Sequence, residues 1–291
     1  MVENNHVEED AQVEESHVAN ENYEEVLHRN TIFAEPIFNI GDFTVTNSLI
    51  NTWLVVIGFI VFAFALRSKL STIPRGIQNA MEMVVDGALN LADSVTGSRE
   101  KSLAFFPLTF ILFIFILINN WTGLLPGVGS VGFIQVHDGQ QVFVPLFRGG
   151  TADVNTTLAL AICSIVLTHI FGVIFVGGWK YLNKFVKIND ILEIPKKVRK
   201  DPSVLLVNPI NFFVGIVEII GEFAKVASLS FRLFGNVFAG EVLLASMAML
   251  FAFLTPIPFM FLEIIVGIIQ ALIFSVLILV FLTINTSVEE H

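Results

Sequence analysis

Several stretches of this chain stay apolar for the roughly 20 residues that carry a helix across about 30 Å of hydrocarbon. A bilayer offers the backbone no water to bond, so each such stretch must satisfy its own N–H and C=O groups as a helix. Hydrophobic residues are 54% of the 291, and 29 Phe stand against 16 Lys plus Arg. The composition excludes a soluble domain around a buried core. The expected fold is an all-α integral membrane protein with about five membrane helices and one amphipathic surface helix.

A first span is expected over residues 46–66, followed by Arg67, Lys69 and Arg75. Residues 74–95 then place Ile77, Met81, Val84, Val85, Ala88 and Leu91 at intervals of three and four, the pattern of a helix lying on a membrane surface. The second span, 104–125, ends at LLPG, and the loop behind it has Arg148 as its one basic residue. In that loop QVHDGQQVFV sets an Asp-Gly turn between apolar and polar residues, which allows a small hairpin. Behind the third span, 157–176, come Lys180, Lys184, Lys187, Lys196, Lys197, Arg199 and Lys200. Basic residues gather on the cytoplasmic side, so the charges give an exterior N-terminus, three alternating crossings and a cytoplasmic C-terminus.

The formal charge of −10 belongs mostly to the N-terminal tail. Residues 1–30 hold nine acidic residues and one basic, Arg29, which leaves 17 acidic and 15 basic residues beyond them. The membrane body is thus nearly neutral and offers no nucleic-acid surface. The expected division is a polar, disordered tail over residues 1–35 and a membrane domain over 36–291. The tail has neither the basic start nor the apolar core of a cleaved signal peptide. Its histidines His6, His17 and His28 read as solvated rather than as metal ligands, and no cofactor is expected. The single cysteine, Cys163, lies in an apolar span, so no intrachain disulfide can form.

The C-terminal part does not fit simple crossings. Asn208 and Pro209 have the residue types of an N-cap and first turn, and no proline follows until Pro256. One helix over 209–254 would run about 69 Å, more than twice the hydrocarbon thickness, so it must lie steeply tilted. TPIP then turns the chain into a second apolar helix over 259–284, about 39 Å long. The two form a tilted hairpin within the membrane.

Arg232 sits inside that hairpin with no lysine or arginine after it. A guanidinium at membrane depth costs at least a few kcal/mol and is a mark of function. At about 100° per residue, Glu218, Lys225, Ser228 and Asn236 fall within about 40° of it and Glu222 at about 80°, whereas Glu241 falls near 180°. Glu263 and Gln270, seven apart, form another polar stripe on the second helix. Two carboxylate groups with a permanent cation between them suit a proton pathway with a barrier, because buried glutamates exchange protons and arginine does not.

Plainer readings stand beside this one. Lys225 could neutralise Glu218 or Glu222, Glu241 could anchor one helix to another, and Asn236 and Gln270 could be packing hydrogen bonds. His169 reads as a helix-to-helix hydrogen bond, since haem ligation would want a second histidine. Asp153 and Asn155 have the residue types of an N-cap for the third span, or of the lining of an entrance.

The run SLSFRLFGNVFAGE resembles the signature of subunit a, the membrane stator subunit of F-type ATP synthases. Supporting similarity runs through PRGIQNAMEM, NNWTGLLPG, TADVNTTLAL, IIQALIFSVLILVFL and the terminal EEH, from residue 36 to 291. The resemblance implies that Arg232 faces the proton-carrying carboxylate of a rotating c-ring. It also implies that Asn236, Glu241, Glu263 and Gln270 occupy the family's polar channel positions, with Glu218 and Lys225 lining the route on the arginine helix. The implied partners are the c-ring, subunit b of the peripheral stalk and the remaining F0F1 complex, in a bacterial plasma (inner) membrane. The chain would conduct ions and not be catalytic alone. Two departures stand out: many relatives put a histidine at one member of the Glu241 and Glu263 pair, and some carry an acidic residue where Gly123 stands here.

Other classes stay open on sequence alone. A secondary transporter could use Arg232 to hold an anionic substrate, although no internal duplication is visible. A voltage sensor would repeat arginines along one helix. A purely structural assembly subunit would tolerate replacement of Arg232.

Overall fold

The computed structural model describes residues 31–67, 71, 75–125, 127–137, 140–186, 204–251 and 254–287. The acidic tail up to residue 30, the Asp138–Gly139 turn, the basic residues Lys187, Lys196, Lys197, Arg199 and Lys200 and the terminal EEH lie outside the described residues. In chain order the elements are β1 (Pro36–Ile40), β2 (Phe43–Thr46), α1 (Asn47–Arg67), α2 (Ile77–Thr96), α3 (Arg99–Thr122), β3 (Gly132–His137), β4 (Gln140–Pro145), α4 (Val154–Val176), α5 (Gly178–Val186), α6 (Val204–Leu250) and α7 (Pro256–Thr286). Five of the helices, α1, α3, α4, α6 and α7, are long and apolar enough to cross a membrane. The protein is an all-α multi-pass membrane protein with two small hairpins added.

The membrane helices run past their apolar cores into polar flanks. α6 begins at Val204, five residues ahead of Pro209 rather than at it, so the proline lies in the second turn, where it removes one backbone hydrogen bond. α7 begins at Pro256, three residues before the expected 259, with proline in the first turn where its fixed φ suits a helix. α3 likewise begins at Arg99, five residues before the expected 104.

β3 and β4 pair antiparallel from Gly132↔Pro145 to His137↔Gln140, the hairpin the loop sequence allowed. β1 and β2 form a second hairpin that the sequence reading did not include, closing Ile40↔Phe43 around Gly41, whose φ of 62° a two-residue turn requires. Residues 31–35, assigned from sequence to the tail, belong instead to the folded body. The Ala34 N–H donates to Asp153 Oδ1 at 3.3 Å, the Glu35 N–H to Asn47 Oδ1 at 3.2 Å, and the Asn47 N–H to the Glu35 carbonyl at 3.1 Å. The chain turns from acidic to apolar at TIFAEP, and the fold starts at that change.

Association of helices in lipid rests on close packing and polar contacts rather than on water exclusion. The common core of α3, α4, α6 and α7 buries Phe105, Ile116, Leu233, Phe274, Ile278 and Leu282 completely. Polar side chains stitch it. The Asn120 amide donates to the Gly267 carbonyl at 3.3 Å and its oxygen accepts from Thr151 at 2.7 Å, the Trp121 indole donates to the Ile264 carbonyl at 3.3 Å, and Asn285 donates to Thr168 at 3.2 Å. Such bonds average about 0.6 kcal/mol each. α2 turns Leu89 and Ala92 inward against α3 and α7 while Ile77, Val84 and Leu91 stay exposed, so its apolar stripe is shared between bundle and lipid.

Candidate functional site

α4 and α6 run antiparallel, and their polar contacts fix the register. Arg148, in the loop leading into α4, meets Glu241; Thr157 Oγ1 lies 3.3 Å from Ser230 Oγ; His169 meets Glu222. The polar groups of α6 are thereby sorted by depth. At 1.5 Å per residue, Glu241 lies about 14 Å beyond Arg232 and Glu222 about 15 Å before it.

Arg232 occupies the middle of the apolar stretch Phe213–Leu250. Leu229 and Leu233 bury the adjacent face of α6 in the core, whereas Arg232 is exposed and Phe231 beside it is 63% exposed. Its Nη2 donates to Ser228 Oγ, one turn back, at 3.3 Å. Among the described residues no ion pair joins it to a carboxylate. Asn236, one turn on, donates to Gln270 Oε1 of α7 at 2.8 Å. Gln270 is 3% exposed, and its Nε2 has no hydrogen-bond partner among the described residues.

Beyond Arg232 the polar group is built on Arg148, which is 5% exposed. Its Nε and Nη2 donate to the Glu241 carboxylate at 3.1 and 2.7 Å; Nη2 also donates to the Thr31 carbonyl at 2.8 Å, and Nη1 to the Phe33 carbonyl at 3.2 Å. Glu263 of α7 rests against Gly240, where a Cβ would come within 2.5 Å of its carboxylate oxygens. Glycine at 240 therefore permits the approach of that carboxylate. Glu35 is half-buried near by: burial pushes its carboxyl above the ordinary range, the Arg148 charge opposes this and the Glu241 charge adds to it.

Before Arg232 stands a second group. Lys225 Nζ donates to Glu222 Oε1 at 2.7 Å and lies 4.8 Å from the centroid of the Phe281 ring. Glu222 Oε2 is 3.5 Å from His169 Nε2, and His169 Nδ1 hydrogen-bonds the Tyr181 hydroxyl of α5. Burial holds the Tyr181 phenol above its ordinary range, and the negative charges of Glu222 and Glu218 push the same way.

The residues singled out from sequence thus fall into place as follows. Glu263 lies against Gly240 while Glu241 pairs with Arg148, Asn236 bonds Gln270, Lys225 pairs with Glu222, and Arg232 bonds Ser228. Asp153 caps α4 by accepting from the Asn155 N–H at 3.2 Å, and also accepts from Ser48 and Ala34. Sequence reasoning missed Arg148, Glu35 and Tyr181 as members of these groups. Arg148 carried a signal: a lone basic residue in a loop before an apolar span needs a countercharge from elsewhere. Glu35 carried none.

The family model described as ATP synthase A chain matches residues 49–283. The chain belongs to the ATP synthase A chain family. It is 34% identical over 244 residues to ATP synthase subunit a of Trichlorobacter lovleyi, covering 84% of this chain and 88% of the relative. It is 34% identical over 239 residues to that of Geotalea uraniireducens, covering 82% and 86%. With ATP synthase subunit a of Moorella thermoacetica it shares 30% identity over 246 residues, 84% of this chain and 93% of the relative. The ATP synthase A chain match takes in Arg148, Glu218, Glu222, Lys225, Arg232, Asn236, Glu241, Glu263 and Gln270, and leaves out Glu35, Asn285 and the β1–β2 hairpin.

Proposed function

We propose that this chain is the proton-translocating stator subunit of the F0 sector of an ATP synthase, coupling proton-motive force to rotation of a c-ring and so to ATP synthesis. The observation that supports it is Arg232: exposed in the middle of an apolar helix, without a carboxylate partner among the described residues, and flanked along that helix by two separate polar groups. A guanidinium on an outward face at membrane depth needs an anion from another chain. A c-ring carboxylate passing this face supplies it.

On this reading Glu241 and Glu263, with Asn236 and Gln270 nearer the arginine, line a half-channel from the exterior, and Glu218 and Lys225 line one to the cytoplasm. The positive charge of Arg232 favours the ionised form of each arriving carboxylate, so the proton leaves on the release side. Arginine keeps its own proton and hands none across. One charge moving through 100 mV is worth about 2.3 kcal/mol, which a leak between the half-channels would waste.

The subunit is not catalytic alone and works with the c-ring, subunit b of the peripheral stalk and the rest of the F0F1 complex. It sits in a bacterial plasma membrane with its N-terminus, an acidic tail, outside and its C-terminus in the cytoplasm. The test is proton pumping in membranes carrying Arg232→Ala. Coupled pumping is lost while the complex stays assembled; pumping that persists overturns the reading.

A further inference from the structure

Three side chains on the release side have no part in the mechanism above: His169, Tyr181 and Glu222. They come from α4, α5 and α6 and form one chain of contacts, Tyr181 hydroxyl to His169 Nδ1 and His169 Nε2 to Glu222 Oε2 at 3.5 Å, with Lys225 on the other carboxylate oxygen at 2.7 Å. Neutralising Glu222 needs only Lys225, three residues away on the same helix. The imidazole meets a carboxylate that Lys225 already pairs, and a titratable ring about 10 Å inside the end of α4 calls for a use.

The fold also makes room for this contact. Tyr181 is 5% exposed and lies so close to Gly172 that a Cβ there would strike its ring. With Nδ1 committed to the Tyr181 hydroxyl, the ring presents Nε2 to Glu222. The charged and titratable groups described round His169 are Glu218, Glu222 and Lys225 on α6 and Tyr181 on α5; α7 brings Phe281 and Asn285 to this level, neither of which titrates.

We infer that Glu222, His169 and Tyr181 form a proton relay on the release side of Arg232, the Tyr181 hydroxyl also orienting the ring; this rests on the half-channel reading above. A proton released beside Arg232 reaches Glu222 through water. The O–H bond of the protonated Glu222 breaks as an N–H bond forms at His169 Nε2, directly or through one water, leaving a carboxylate held by Lys225 and an imidazolium. The imidazolium passes its Nδ1 proton to the Tyr181 oxygen while the tyrosine proton goes to water, and the neutral ring regains its first tautomer by exchange with water. One proton moves outward to the cytoplasmic side, and every group ends as it began.

The experiment uses inverted membrane vesicles carrying the whole complex, with passive proton flux measured after removal of F1 at cytoplasmic-face pH from about 5 to 8, where an imidazole changes charge. His169→Gln retains hydrogen bonding without titration. It should lower flux at least about tenfold and flatten its dependence on cytoplasmic-face pH, with F1 content of the membranes unchanged beforehand. Tyr181→Phe should displace the pH profile with a smaller loss. A double variant, His169→Gln with Glu222→Gln, should be no slower than the slower single, because both act on one path. Wild-type flux in assembled His169→Gln at every pH, or losses that multiply in the double variant, overturns the relay. Should His169→Gln fail to assemble, Glu222→Gln decides by the same criteria. Arg232→Ala vesicles assayed before F1 is removed keep the two ideas separate: coupled pumping retained there sinks the half-channel reading itself, whereas coupled pumping lost there with normal His169→Gln flux sinks the relay alone.

Discussion

Arg148 grips Glu241 across 93 residues of sequence, Nη2 to Oε2 at 2.7 Å, and the same guanidinium is held from behind by the carbonyls of Thr31 and Phe33. A buried ion pair repays its desolvation only when the remaining donors are also satisfied. The segment ahead of β1 supplies the two acceptors that a bare pair would lack. Strap, loop and hairpin carboxylate are therefore one unit.

Arg148→Ala leaves a one-third-exposed Glu241 carboxylate and two carbonyls without their donor, and should destabilise the protein by about 1–2 kcal/mol, less than the roughly 3 kcal/mol of breaking a fully buried pair from one side. Arg148→Lys should restore less than half, because an ammonium cannot reproduce the planar fork. Thermal unfolding of the detergent-solubilised complex reads both. Equal stability of the alanine variant and the wild type would show that the clasp is incidental.

Glu35 gives this unit a pH dependence. Burial raises its carboxyl pKa in the folded chain, so the proton is held more tightly folded than unfolded. Its stabilising contribution is present below the unfolded value and is lost as pH rises through the folded one. Glu35→Gln, neutral throughout, should match the wild type in acid and unfold at a higher temperature at neutral pH. A gap that does not change with pH would refute this.

The membrane helices were legible because apolar length is a property of sequence, and the hairpin because proline marks its turn. Helix starts were not: α6 runs through Pro209 and α3 takes in Arg99 to Leu103, since a helix end follows polar flanks and packing as well as hydropathy. In the site, helical angle separated Glu241 from Arg232 on one rod. It could not show Arg148 reaching Glu241 from 93 residues away, nor Tyr181 meeting His169 across the end of α4. The first contact depends on the antiparallel register of α4 and α6 and the second on how α5 folds back along α4, and no local pattern encodes either.

Gly240 tests how closely Glu263 must approach α6. Gly240→Ala places a methyl group against the Glu263 carboxylate and should lower proton flux severalfold by displacing it. Gly58 of α1 is the control: a Cβ there meets nothing within 4 Å, and alanine favours a helix by up to about 1 kcal/mol over glycine. Passive flux and unfolding temperature should fall in the first variant and stay level or rise in the second. Equal behaviour of the two would remove any role for close packing at Gly240.

Asn236 and Gln270 separate a packing hydrogen bond from a pathway residue. Their 2.8 Å bond should show a coupling of about 0.6 kcal/mol in a stability cycle of Asn236→Ala, Gln270→Ala and the double variant. Packing alone ends there. Gln270 also holds a buried Nε2 with no partner among the described residues, a donor that water in a half-channel would satisfy. Gln270→Leu fills the same space without that donor, so it should cost little stability yet lower proton flux by more than the coupling energy accounts for. Flux that falls only in step with stability would return both residues to the role of helix glue.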